Sequence, residues 1–348
     1  MRMKKILVLL TGGTIGSTVQ GKSMNVTEKS AGQLLSLYQK KYGREEEFEV
    51  KQPVSVLSEN MTPGILGRLC SCMKEIPYEN YQGVIIAHGS DTLSYTAALL
   101  GMYLGHVPVP VVLTAANYPL EDARSNGLVN FRSAVELIRC GMVEGVFAVY
   151  QSNTGEMPVY VATRLTEADA YEDQFRGFGG IPFGKMEKGQ LILYRDKRNP
   201  TIAKLHQAGS LLPWESPSFS NKIMLIRPYP GLDYRFISLQ EKPAAILHYL
   251  YHSATACTVE ENYSFLKFLD FCTEQGIPVY TASYKCTEGR FYATTEKMME
   301  RGNIPMKNIS LEAAYTKLLL LYNLGQGTLR DRMDENFYFE SLPSAETE

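Results

Sequence analysis

Long apolar runs are missing from this chain of 348 residues. None approaches the roughly 20 residues that a membrane-spanning helix needs, so no membrane partner is expected. The apolar run near the start covers only Ile6–Leu10 before glycines begin. That is too short for a signal peptide, and a first buried strand is expected instead. Excess charge is missing as well: 35 Lys and Arg stand against 37 Asp and Glu, a formal net charge of −2. A near-neutral surface of mixed sign argues against nucleic acid or an anionic membrane as partner. Histidine is scarce, and none of Cys70, Cys72, Cys140, Cys257, Cys272 and Cys286 stands in a C-x-x-C pair. Reduced thiols in a cytoplasmic protein are the expectation. His248 and His252 would share a helix face, but they fall on a segment that reads as a strand, where the two do not converge on one ion. No metal and no other cofactor is expected.

What is present is apolar bulk, with 45% hydrophobic residues. That suffices for large cores, and the length favours two domains. Strands are predicted at 6–10, 84–87, 109–114, 146–150, 222–226, 245–249 and 278–283. They are rich in Val and Ile without strict alternation, as expected for strands buried on both faces. Helices are predicted at 31–42, 63–75, 92–104, 125–139, 259–274 and 311–322. In the last, Leu311, Tyr315, Leu318 and Tyr322 recur at helical spacing and should face a core. Alternating strands and helices predict an α/β fold. The N-terminal domain, residues 1–195, is expected to be a doubly wound parallel sheet. Residues 196–220, with Pro200, Pro213 and Pro217, are expected to link it to a smaller α/β domain at 221–348. The acidic tail from Asp331 is expected to be loosely held.

In open α/β sheets, ligands bind at the carboxyl ends of strands. Three polar clusters follow apolar runs there: Thr11-Gly-Gly-Thr-Ile-Gly16, His88-Gly-Ser-Asp-Thr92 and Thr114-Ala-Ala-Asn117. One such cluster alone reads as an ordinary turn. Three with hydroxyls and a carboxylate read as a site, because glycine admits a substrate to the backbone and hydroxyls supply a nucleophile. Gly16-Ser-Thr-Val-Gln-Gly-Lys-Ser23 also fits the phosphate-loop pattern G-x-x-x-x-G-K-[ST]. Such a loop must follow its strand at once and open into a helix. Five residues separate Leu10 from Gly16, and Met24-Asn-Val-Thr27 is a poor first helical turn. A nucleotide-binding enzyme is therefore the weaker alternative, and Lys22 is not expected to hold a phosphate.

The first two clusters resemble the two signatures of bacterial L-asparaginases. Ser58-Glu-Asn-Met-Thr-Pro63 resembles that family's substrate-binding loop. Thr114-Ala-Ala-Asn-Tyr-Pro-Leu120 with Arg124-Ser-Asn-Gly127 resembles its third strand end, and Ser310-Leu-Glu-Ala-Ala-Tyr-Thr-Lys-Leu318 its C-terminal helix. The matches run in family order along nearly the whole chain. The resemblance implies hydrolysis of the side-chain amide of asparagine or a related amino-acid amide, with release of ammonia. It also implies the asparaginase fold and a homodimer or homotetramer.

Residue by residue, the resemblance makes Thr14 the nucleophile and places Gly13 and Gly89 in the substrate site. Ser90 stands where the family has a threonine, and Asp91 is kept to hold the substrate ammonium. Ser58 matches the residue that binds the α-carboxylate. Backbone N–H groups around Ser90 and Ala116 are the oxyanion-site candidates. Three positions depart from the pattern. Met24 falls at the family's tyrosine, within a lid segment Ser17–Thr27. Arg164, in Val161-Ala-Thr-Arg164, falls at the family's lysine, and arginine cannot give up its proton. Glu59 replaces a neutral polar residue, so it either pairs with Arg164, favours a more cationic substrate, or is a surface substitution without a role. Leu247–Ala254 has lost the family's Tyr-Gly-Asn loop. Glu312 and Lys317 read as a solvated or interface face of their helix. A non-catalytic amino-acid binder on the same fold is the second alternative, which Met24 and Arg164 would permit.

Overall fold

The computed structural model describes residues 4–343 apart from Thr14, Gly16, 21–22, 27–28, 44–45, His106, 208–218, 285–291 and 326–328. In chain order the first half gives β1 Lys5–Leu10, a hairpin of β2 Ser17–Gln20 and β3 Ser23–Val26, α1 Lys29–Tyr42, β4 Phe48–Lys51, α2 Pro63–Lys74, β5 Tyr81–Ala87 and α3 Leu93–Leu104. Then come β6 Pro110–Thr114, α4 Gly127–Arg139, β7 Gly145–Val149, β8 Pro158–Val161, β9 Gly184–Glu187, β10 Gln190–Leu193 and α5 Ile202–Gln207. The second half gives β11 Ile223–Ile226, β12 Ala245–Tyr249, α6 Phe265–Glu274, β13 Val279–Tyr284, α7 Ala293–Glu300, β14 Ile304–Lys307, α8 Leu311–Leu324 and α9 Leu329–Arg332.

The chain divides into one compact unit of Met1–Ser218 with Phe337–Phe339, and a second of Phe219–Asn336 with Glu340–Glu348. Of the segment expected as a linker, residues 202–207 form α5 and residues 208–218 lie outside the described residues. In the first unit the strand order is β10-β9-β8-β7-β6-β5-β1-β4. The strands from β7 to β4 in that order pair in parallel, as the buried Val- and Ile-rich runs require. The sheet is not parallel throughout: β8, β9 and β10 add to it antiparallel. Each of these strands is only four residues long, and β9 and β10 carry few buried apolar residues, which is why the sequence did not disclose them. The second unit holds a parallel sheet in the order β11-β12-β13-β14.

Three expectations are corrected. The helix expected from Val259 begins only at Phe265, because the Ser264 hydroxyl accepts from the Lys267 amide and caps it there. Glu260, with φ 58°, stands outside helical geometry altogether. Glu312 and Lys317 are not solvated; they are 4% and 1% exposed. Lys317 Nζ lies 2.9 Å from Glu340 Oε1 and also donates to the Glu335 carbonyl. The tail from Asp331 is likewise held: Tyr338 is 1% and Glu340 0% exposed, and Ile309 bridges Ser341.

Candidate active site

The carboxyl ends of β1 and β5 meet at glycine. The Thr11 amide donates to the Ala87 carbonyl, and the Gly13 amide to the Val56 carbonyl, so the chain leaves β1 pinned on both sides. Gly13 takes φ 73°, and a Cβ there would lie 2.3 Å from the Gly89 Cα. A Cβ on Gly89 would in turn lie 2.5 Å from the Ser58 hydroxyl. Only glycine fits either position, so the first two sequence clusters and the Ser58 loop are pressed into one place. Thr14, between Gly13 and the buried Ile15, lies outside the described residues.

Ser58 is the hub of the polar groups. It is 5% exposed, its hydroxyl donates to Asp91 Oδ2 at 3.2 Å, and its carbonyl accepts from the Thr92 hydroxyl at 2.9 Å. The Asp91 amide lies 3.3 Å from the same Ser58 hydroxyl. Asp91 is exposed, so its carboxylate can meet a ligand, and Ser90 is half-buried beside it. Both precede α3, whose N-terminal amides favour negative charge.

His88 belongs to this arrangement although no chemistry was assigned to it from the sequence. Its Nδ1 lies 2.7 Å from the Gly89 carbonyl, which can only accept, so the proton sits on Nδ1. Nε2 then accepts from the Thr96 hydroxyl at 3.0 Å. Burial holds the ring's pKa down to about 4, against the pull of the Gly89 carbonyl and Asp91, and it stays neutral. The Gly89 carbonyl and the Ser90 N–H share one planar peptide, so this bond fixes the direction of that N–H.

The third strand end is held by amides. Asn130 donates to the Ala115 carbonyl at 2.9 Å and accepts from the Gln151 amide at 2.8 Å. Asn117 and Asn126 each accept from the other's backbone N–H at 3.0 Å. Ala116 is fully buried between these clamps. Asn126 was in view in the sequence, but nothing there indicated that it pins Asn117.

Arg164 is 4% exposed, and its Nε and Nη1 donate to the carbonyls of Phe339 and Arg198 at 2.6 and 2.7 Å. The neighbouring Thr163 hydroxyl donates to the Tyr338 carbonyl at 2.6 Å. Glu59 is exposed on the Ser58–Asn60 turn. Met24 stands on β3, paired with Val19. The expected lid segment is thus a hairpin with register Ser17↔Val26, and Ser23 enters a strand. A phosphate loop must open into a helix at that point, so the nucleotide-binding geometry is not formed. Among the described residues no group of His, Cys, Asp and Glu could hold a metal ion, and no helix is long and apolar enough to cross a membrane.

Comparison with known proteins agrees with this geometry. The family described as "Asparaginase, N-terminal" matches residues 5–199. L-asparaginase 1 of Escherichia coli is 26% identical over 353 residues, covering 99% of each chain. A glutamyl-tRNA(Gln) amidotransferase component of Methanococcus maripaludis is 24% identical, covering 95% of this chain and 78% of its own. Among solved structures, the thermostable L-asparaginase from Thermococcus kodakarensis has TM-score 0.78 at 22% identity, over 98% of this chain and 100% of that one. L-asparaginase I from Vibrio cholerae has TM-score 0.74 at 22% identity, over 98% and 100%. With the family matched over more than half of the chain and its fold shared end to end, the chain belongs to the asparaginase family of amidohydrolases.

Proposed function

We propose that this protein hydrolyses the side-chain amide of asparagine or a close relative, releasing ammonia, with Thr14 as nucleophile. The observation that carries the reading is the packing of Gly13, Gly89 and the Ser58–Asp91 pair into one polar cluster at the ends of β1 and β5. Ser58 and the start of α3 suit an α-carboxylate, and exposed Asp91 suits an α-ammonium. Thr14 Oγ attacks the amide carbon, and the Ser90 N–H, oriented through His88, receives the developing oxyanion with the N–H near Ala116. The proton released by Thr14 Oγ passes to the amide nitrogen, so that collapse of the tetrahedral intermediate expels ammonia, and water then hydrolyses the threonyl ester to regenerate the hydroxyl.

Arg164 acts as a positioning residue in this scheme. Its guanidinium cannot accept the Thr14 proton, and its donors to Phe339 and Arg198 support a role in holding that edge of the unit. A general base is typically worth about a hundredfold or more, so turnover of plain asparagine is expected to be slow beside that of a preferred amide. A net charge of −2 carries no excess of basic residues for a tRNA substrate, which favours a free amino-acid amide. Assembly as a homodimer or homotetramer belongs to the same proposal.

Ammonia release across asparagine, glutamine, their D forms and N-substituted amides tests the reading. Turnover of at least one of them supports it. Saturable binding of an amino acid with no release of ammonia from any would replace it with the binding-only alternative, which Met24 and Arg164 favour.

A further inference from the structure

Hydrolysis through a threonine hydroxyl needs a group that takes its proton, and neither Arg164 nor Met24 can do so. A carboxylate beside the N-terminal end of α3 has not yet been given a part. Every residue of α3 is buried except Tyr95. Tyr95 is half-buried in the first turn of the helix, shortly after Ser90 and Asp91. Helical side chains lean towards the helix N-terminus, so its ring is directed back over the turn that follows those two residues. Its hydroxyl donates to Glu167 Oε1 at 2.7 Å, a short bond of the charge-assisted kind.

Glu167 reaches α3 from a second segment that is fixed on its own account. The Thr166 amide and hydroxyl both donate to the Arg176 carbonyl, at 3.0 and 3.1 Å, and Leu165 bridges Gly177. The preceding turn, Ala162–Arg164, packs directly on α3: a Cβ on Gly101 would lie 2.6 Å from Thr163 Cγ2. The half-buried Glu167 carboxylate is thus held in place, with an orienting donor behind it, as a general base requires. The nucleophile cluster meets the same end of α3. Gly13, next to Thr14 in the chain, touches Gly89, next to Ser90.

We infer that Glu167 is the proton acceptor of the hydrolysis, with Tyr95 as the positioning residue that orients it; this rests on the amidase reading above. The Glu167 carboxylate takes the Thr14 Oγ proton as the oxygen attacks the amide carbon. It gives that proton to the amide nitrogen as the C–N bond breaks and ammonia leaves. In the second half it takes a proton from the attacking water and returns it to Thr14 Oγ as the ester opens. A carboxylate is a weaker base than an uncharged lysine amine, so turnover of plain asparagine stays slow.

The test is ammonia release from the best amide by the full chain, with kcat and KM resolved and melting temperatures alongside. Glu167→Gln keeps the shape and removes the base; kcat should fall by about a hundredfold or more with KM nearly unchanged. Tyr95→Phe should lower kcat by about tenfold. In Glu167→Ala, added sodium formate should restore part of the lost kcat, because a free carboxylate fills the space and takes the proton, while sodium chloride should restore none. Wild-type kcat in Glu167→Gln, or a loss confined to KM, would overturn the base assignment and leave the amidase reading standing. A kcat loss in Glu167→Ala that formate does not relieve would also overturn it, and would confine Glu167 to holding Tyr95 against the loop. Absence of ammonia release from every amide by the wild type would sink the amidase reading itself and this assignment with it.

Discussion

The two parallel sheets of this protein use their strands differently. In the first unit the ends of β1 and β5 carry glycines, so backbone touches backbone and exposed Asp91 is left for a ligand. In the second unit β12 carries His248, which is fully buried. Its Nε2 lies 2.9 Å from the Tyr234 hydroxyl, and its ring centroid 4.1 Å from that of Phe265. Tyr234 stacks on Phe268 at 4.5 Å. Parallel order alone does not make a site; small residues at the strand ends do, and aromatic packing fills the equivalent space. The first unit should therefore respond to substitution in activity and the second in stability.

The largest expected effect is in the second unit. Lys317→Met strands the Glu340 carboxylate, which is 0% exposed. Chemical denaturation should show a loss of about 3–5 kcal/mol. Lys317→Met with Glu340→Leu should recover much of it. Equal losses in the single and double variants would mean that the pair is not the cause.

Next in size is acid stability. Burial holds both His88 and His248 down to about 4. The unfolded chain takes up those protons near the ordinary histidine value, so the folded state loses stability as pH falls from about 6.5 towards 4, by up to about 3 kcal/mol for each histidine. His248→Gln should flatten that part of the pH profile without changing ammonia release at neutral pH. An unchanged slope would show that His248 is protonated in the folded state.

In the first unit, Gly13→Ala forces a Cβ against Gly89 at a positive φ. Displacing the reacting groups by about 1 Å should cost about a hundredfold in kcat/KM. Wild-type kcat/KM in this variant would break the claim that the glycine contact shapes the site.

The smallest effect is expected at Arg164. Arg164→Lys cannot keep both carbonyl bonds and should lose about 1 kcal/mol. It also places an amine able to lose its proton where the resemblance puts the family's lysine, so kcat on asparagine should rise if that match holds. A lowered melting temperature with unchanged kcat would confine Arg164 to holding Phe339 and Arg198.

The contrast between the two units was only half legible in the sequence. Buried apolar runs such as Ile6–Leu10 and Ala245–Tyr249 announce parallel strands, and the Thr11 and His88 clusters lie at strand ends in plain view. What periodicity hides is contact across the chain. Lys317 looked solvated because its partner Glu340 lies 23 residues on, in a tail that composition marks as loose. His88 looked like part of a motif, and only the Thr96 and Gly89 bonds show it orienting a peptide.

The central claim is that Thr14 carries out amide hydrolysis. Valine at this position keeps the shape and removes only the hydroxyl. The direct measurement is ammonia release by wild type and Thr14→Val on the best amide, with melting temperatures alongside. The account predicts turnover by the wild type, none by the variant, and equal melting temperatures. Most of the wild-type kcat surviving in Thr14→Val would contradict it.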